Sequence, residues 1–157
     1  MTPLSVCIIA RNEESTLPAC LTSAKKLSDD IIVVVDDRTN DSTLEIAKKF
    51  GCRVSVRKFD NFASQKNHAV SLARNTWILS LDADEILSPE LVDEINNLNT
   101  PQFAAYNIPR LNYIFTKPIR HTNWGPKDDT HIWLFNKSKS HWQGAVHEHV
   151  QVHGRVG

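Results

Sequence analysis

The chain has 157 residues, a length that fits one domain and is long enough to bury a core. Hydrophobic residues make up 41% of it, which argues against disorder. Lys+Arg and Asp+Glu both number 18, so no basic excess points to nucleic acid or an anionic membrane, although a local basic patch stays open. No apolar run is long enough to span a bilayer, and Met1-Thr2-Pro3-Leu4 lacks the sections of a signal peptide. The three cysteines, Cys7, Cys20 and Cys52, are odd in number and lack metal-ligand spacing. Buried free thiols in a reducing compartment are the reading. The expected location is the cytoplasm, with room for contact at the inner face of the cell membrane.

In chain order, Leu4 to Ala10 is a short apolar run suited to a buried strand. Ser15 is a candidate helix cap, Pro18 fits a first turn, and Leu17, Leu21, Ala24 and Leu27 recur at helical spacing. Ile31 to Val35 is a second strand, ending at Asp36-Asp37. The polar turn Arg38 to Ser42 leads into a helix with Leu44, Ala47 and Phe50 on one face, closed by Gly51. A strand at Arg53 to Arg57, a helix at Ala63 to Arg74 and a strand at Trp77 to Leu81 follow. Ser88-Pro89 then caps a helix carrying Leu91, Ile95 and Leu98. This alternation predicts an α/β fold with a mostly parallel sheet and helices on both faces. After Thr100 the pattern changes: Phe103 to Leu111, His131 to Phe135 and the alternating stretch Ala145 to His153 read as strands. The first hundred residues form one half of a single domain and residues 101–157 the other. The abrupt stop at Gly157 points to a C-terminally truncated chain.

Ligands in such sheets bind at the carboxyl ends of the strands. Three polar clusters follow strand ends: Arg11-Asn12-Glu13, Asp36-Asp37 and Asp82-Ala83-Asp84. They should therefore converge on one edge. Two carboxylates one residue apart at a strand end can face one hard cation, which keeps water and substrate phosphates as further ligands. A solvated acidic loop is the competing reading of Asp82 and Asp84. A carboxylate at Asp36 or Asp37 can accept from a nucleobase or a ribose hydroxyl, against a plain turn or cap.

Three segments, Leu4 to Glu14 (LSVCIIARNEE), Ile31 to Thr43 (IIVVVDDRTNDST) and Trp77 to Glu85 (WILSLDADE), resemble the family 2 glycosyltransferases in order and separation. The later part, with Arg110, Trp133-Leu134-Phe135 and Val146-His147-Glu148-His149-Val150, is similar to the lipopolysaccharide-core β-glucosyltransferase subgroup. The resemblance implies the GT-A (nucleotide-diphospho-sugar transferase) fold. It places Ala10, Asn12 and Glu13 in a nucleoside pocket, Asp37 or Asp36 at the base, and Lys66 near the diphosphate. Asp82 and Asp84 would meet ribose, phosphate and a divalent cation (Mg2+ or Mn2+), with Asp84 the firmer metal ligand and His147 a third. The expected partners are a nucleotide sugar, UDP-hexose foremost, and a glycolipid or saccharide acceptor, such as lipopolysaccharide core.

If Val146 to His153 is one strand, Val146, Glu148, Val150 and Val152 share a face. Glu148 then stands on an apolar face, where an unpaired carboxylate is costly and partial desolvation favours a general base. Glu148 is accordingly the candidate base for inverting sugar transfer. Competing readings are a glutamate salt-bridged to Arg110 or Arg120, and Asp128 or Asp129 as the base. Trp124, Trp133 and Trp142 could stack on a sugar, although packing is the commoner role. A separate histidine zinc site would need more ligands than one strand face supplies. Two other functions stay open. A nucleotidyltransferase would carry a glycine-rich loop early, yet no glycine precedes Gly51. An inactive domain that binds nucleotide sugar or a partner protein is the other.

Overall fold

The computed structural model describes residues 2–99, 101–114, 117–119, 125–126 and 129–157. Four strand–helix units open the chain: β1 (Leu4–Ala10), α1 (Leu17–Ala24), β2 (Ile31–Asp36), α2 (Thr43–Lys49), β3 (Arg53–Arg57), α3 (Phe62–Leu72), β4 (Trp77–Asp82) and α4 (Pro89–Asn97). Among the described residues the elements of the second half are strands: β5 (Ala105–Pro109), β6 (Tyr113–Ile114), β7 (Lys117–Pro118), β8 (Thr130–Asn136), β9 (Ser140–Gln143) and β10 (His149–Val152). Six strands make the central sheet in the order β3-β2-β1-β4-β8-β5. β3, β2, β1 and β4 are mutually parallel, and β8 runs antiparallel to both β4 and β5. The chain moves outward from β1 through β2 to β3, then returns to set β4 on the other side of β1. That reversal opens a crevice beyond the carboxyl ends of β1 and β4, where a sheet of this kind takes ligands.

The strands follow from composition. Ile31, Ile32, Val33, Val34 and Val35 are β-branched and all buried, so β2 is covered on both faces. β1 is likewise buried at six of its seven positions. Helices supply the cover, with α3 packed on β1 and β2. Asn61 caps α3 by accepting from the Ser64 N–H at 2.8 Å, and Ser88 caps α4 through Leu91 N–H at 3.2 Å. Gly51 ends α2 with φ +74, the left-handed value a helix-terminating glycine supplies without strain. At α1 the expected cap moves: Thr16, not Ser15, is the N-cap residue, and no side chain caps the helix.

Sequence periodicity overreached in the second half. β5 starts at Ala105 and ends at Pro109, shorter than the expected span, while the short β6–β7 hairpin and β9 lacked enough alternation to be read. The last strand is His149–Val152, not Val146 to His153. His147 has φ +56, which breaks the pleat, so Val146 is exposed at 75% rather than sharing an inward face with Val150. Cys7 and Cys20 are buried free thiols, as expected, and burial pushes both up to about 12, where they stay protonated. Among the described residues no helix is long and apolar enough to cross a membrane.

Candidate functional site

A cleft of about 380 Å³ lies at the switch point. Three of the four parallel strand ends contribute to it: Ala10 and Arg11 from β1, Asp36 from β2, and Asp82 with the following Ala83 and Asp84 from β4. Register puts Ile9 opposite Asp82 and Ala10 opposite Val35, so Asp36 and Asp82 flank the end of β1. Glu13, Phe59, Phe62, Gln65, Lys66 and Glu148 complete the lining. Of the residues singled out in the sequence, the structure brings together Ala10, Glu13, Asp36, Lys66, Asp82, Asp84 and Glu148. Asn12, Asp37 and His147 are exposed and outside the lining.

Lys66 is the most buried cation of the site, at 4% exposure. Its ammonium stands 3.2 Å from Asp82 Oδ1 and 3.1 Å from Glu148 Oε1. It also lies 4.4 Å from the Trp142 ring centroid and 5.1 Å from that of Trp133, whose rings are 6.0 Å apart. An ammonium taken from water needs this combination of carboxylates and aromatic faces. Trp133 and Trp142 are thus buried packing for a cation, not open platforms for a sugar. Among the described residues the partner of Glu148 is Lys66, not Arg110, one of the two arginines of the competing salt-bridge reading. Arg110 instead places Nε 2.8 Å from Glu85 and Nη2 3.7 Å from Asp82, with its guanidinium over Trp133. Burial, aided by the charge of Asp82, raises the Glu85 carboxyl above its usual range.

At the other end Asp36 is buried and held by Arg38. The Arg38 Nε and Nη2 donate to its two oxygens at 3.0 and 2.7 Å, and the Arg38 main-chain N–H adds a bond of 2.9 Å. These bonds hold the Asp36 carboxyl well below the usual carboxylate range, and burial only partly opposes them. Arg38 also lies over Phe59, which meets Phe62 edge to face. Asn12 has a fold role: with φ +55, its Oδ1 accepts from the Asn40 N–H at 3.0 Å and ties the β1 loop to the β2 loop. The Glu13 side chain accepts from Thr16 at 2.6 Å.

Asp129 is turned to local structure. One oxygen lies 2.6 Å from His131 Nε2, the other accepts from Asn112 at 2.6 Å, and its main-chain carbonyl accepts from Arg110 N–H. Asp128, Arg120 and Trp124 lie outside the described residues. Among the described residues no three His, Cys, Asp or Glu side chains form a ready metal cluster. Asp82 and Asp84 still line one wall together, with oxygen donors only. Phe59 and Phe62 were not singled out in the sequence, because only the tertiary fold brings them to the cleft.

Comparison with known proteins agrees with this geometry. An uncharacterized glycosyltransferase of Rickettsia typhi is 39% identical over 115 residues, covering 71% of this chain and 39% of that protein. The lipopolysaccharide core biosynthesis glycosyltransferase LpsC of Rhizobium meliloti is 25% identical over 162 residues, 99% of this chain and 59% of that protein. The chain thus spans about two-fifths of the length of the Rickettsia relative. S. aureus TarS residues 1–349, solved in complex with UDP, superposes with a TM-score of 0.62 at 19% identity, over 76% of this chain and 38% of that one. That likeness is one of fold, the GT-A fold. The family model for glycosyl transferase family 2 matches residues 5–149, nearly the whole chain, and the chain therefore belongs to glycosyl transferase family 2.

Proposed function

We propose that the chain is the donor-binding and catalytic part of a glycosyltransferase that moves a hexose from UDP to an acceptor hydroxyl. One observation carries the reading: Asp82, Asp84, Lys66 and Glu148 meet in one cleft at the switch point of the sheet. The family match and the UDP held by TarS support it. The nucleoside would lie toward Ala10, Asp36 and the Phe59–Phe62 pair, and the diphosphate toward Lys66 and Asp82. Four carboxylates, Asp82, Asp84, Glu85 and Glu148, stand in the cleft and its margin near two cations, Lys66 and Arg110. A diphosphate would add negative charge there, so an added cation is electrostatically favoured. Asp84 and Asp82 would hold that ion, Mg2+ or Mn2+, in the small carboxylate set that phosphate oxygens and water complete. Such an ion supplies neutralisation of the diphosphate charge. His147, exposed and outside the lining, is not assigned to it.

The chain's own residues would do the rest. Lys66 offers a positive point charge to the leaving diphosphate. Glu148 takes the proton of the acceptor hydroxyl, whose oxygen forms a bond to the anomeric carbon. The bond from that carbon to phosphate breaks on the opposite face, and the diphosphate departs with the electron pair. Configuration inverts. LpsC is named for lipopolysaccharide core biosynthesis, which supports a glycolipid or saccharide acceptor.

Calorimetric titration with UDP, with and without Mn2+, tests the donor site. We expect binding that needs the ion and weakens about tenfold or more in Asp84→Ala, a loss of about 1.4 kcal/mol at least. Folded protein that ignores UDP under both conditions would sink the reading.

A further inference from the structure

The residue after Lys66 makes a contact of another kind. Asn67 Nδ2 donates to the Trp142 carbonyl at 2.8 Å, and its Oδ1 accepts from the Trp142 N–H at 2.9 Å. A carboxamide offers one donor and one acceptor side by side, so Asn67 does for Trp142 what a neighbouring strand would do. Because the main-chain groups of Trp142 turn toward α3, they turn away from β10, where Trp142 stands opposite Val150. The grip therefore joins α3 to the free edge of hairpin β9–β10.

Three further observations give this grip a consequence in the cleft. The Trp142 ring lies under the Lys66 ammonium at 4.4 Å. Its buried indole Nε1 has no hydrogen-bond partner among the described residues, so none of these anchors the ring through a polar contact. Glu148, the other partner of that ammonium, sits one residue before β10 and travels with the hairpin.

We propose that Asn67 is a positioning residue of the donor cleft: by pairing with both main-chain groups of Trp142 it sets the depth of hairpin β9–β10, and through the indole and Glu148 it sets where the Lys66 ammonium stands. Adjacent residues of one helix thereby hold Trp142 twice, Asn67 by its main chain and Lys66 by its ring. The effect on donor binding rests on the reading of the cleft given above, whereas the placement of Lys66 does not.

The test reads both. In an NMR spectrum of lysine ε-methylene groups, Lys66 is identified by the signal lost in Lys66→Met. Beside two indoles its ε-protons should be shifted upfield of those of exposed lysines. In Asn67→Ala we expect a folded protein whose Lys66 signal moves back toward the exposed set. UDP affinity should fall about five- to tenfold, the scale of one lost hydrogen bond. Added to Lys66→Met, Asn67→Ala should weaken UDP binding no further. A folded Asn67→Ala protein with an unmoved Lys66 signal overturns the proposal, whatever its melting temperature. If that variant fails to fold, Asn67→Asp, which keeps the acceptor for Trp142 N–H and loses the donor, is read in the same way. Failure of both to fold makes Asn67 a structural clasp and overturns the proposal as well. If the unaltered protein binds no UDP, the donor reading falls, and the Lys66 signal alone decides the role of Asn67.

Discussion

Lys66 and Glu148 are 82 positions apart, yet their charged atoms lie 3.1 Å from each other. Under the proposed reading, the diphosphate would share the ammonium and so free this carboxylate to accept the proton of the acceptor hydroxyl. Glu148→Gln keeps the size of the side chain and removes the proposed base. Release of UDP from UDP-hexose in the presence of acceptor should fall about 100-fold or more, the usual contribution of a general base. UDP affinity measured by calorimetry should change by no more than about tenfold, because Glu148 also helps to place the Lys66 ammonium. A large fall in affinity instead would mean that Glu148 serves only to hold Lys66. At the opposite end of the sheet Asp30 shows a purely structural carboxylate. It accepts from Ser5 Oγ at 2.6 Å, Arg53 Nη1 at 2.8 Å and the Arg74 N–H at 2.9 Å. Burial pushes its carboxyl up, but these bonds outweigh burial and leave it below the ordinary value. A carboxyl with a depressed folded-state pKa contributes stability that is complete above its unfolded value, about 3.9, and is lost as pH falls through the folded value. Asp30→Asn should therefore cost about 2–3 kcal/mol at pH 7, as hydrogen bonds to a charged group do. In urea melts the gap to the unaltered protein should narrow below about pH 4. A constant gap across that range would deny the linkage.

Elements of the first half announce themselves by local chemistry. Runs of β-branched residues make β2, a Ser-Pro pair starts α4, and a glycine stops α2. Gly51 offers a clean test, because a Cβ built there meets nothing within 4 Å. Gly51→Ala then carries only the backbone penalty of the left-handed region, about 1–2 kcal/mol, seen as a lower denaturation midpoint with an unchanged slope. A neutral result would show that the turn relaxes to another conformation. The second half is built differently. β8 holds its place through pairing with both β4 and β5, and β9–β10 is a two-stranded hairpin resting on α3. Two-stranded elements are marginal alone, so their ends are set by what they dock on. That is why the last strand begins at His149 and leaves Glu148 in the turn before it.

Across the whole molecule the two halves meet at Phe135. It is fully buried in β8, paired with Ile78 of β4 and Ala105 of β5, and its ring meets Trp142 edge to face at 6.2 Å. Phe135→Ala should cost about 3–5 kcal/mol, the range for a buried aromatic. It should also loosen Trp142 and so weaken UDP binding more than a core substitution remote from β9 would. Matched urea melts and titrations of Phe135→Ala and Ile32→Ala separate the two effects, since Ile32 is buried in β2 away from the hairpin. Equal losses of affinity in the two variants would refute the link.

The order of elements, the parallel half of the sheet and the convergence of Arg11, Glu13, Asp36, Asp82 and Asp84 were legible in the sequence. Each follows from short-range causes: apolar runs, caps, turns, and the rule that strand ends of an alternating fold share one edge. Lys66 and Glu148 could be singled out, but their pairing could not, because it depends on how a late hairpin docks on an early helix. For the same reason Trp133 and Trp142 proved to be a box for an ammonium, and Arg110 proved to serve Glu85 and Asp82. Asn12 became a tie between loops once Asn40 was seen beside it. Contacts between residues distant in sequence carry no local periodicity, so only the tertiary structure could decide them.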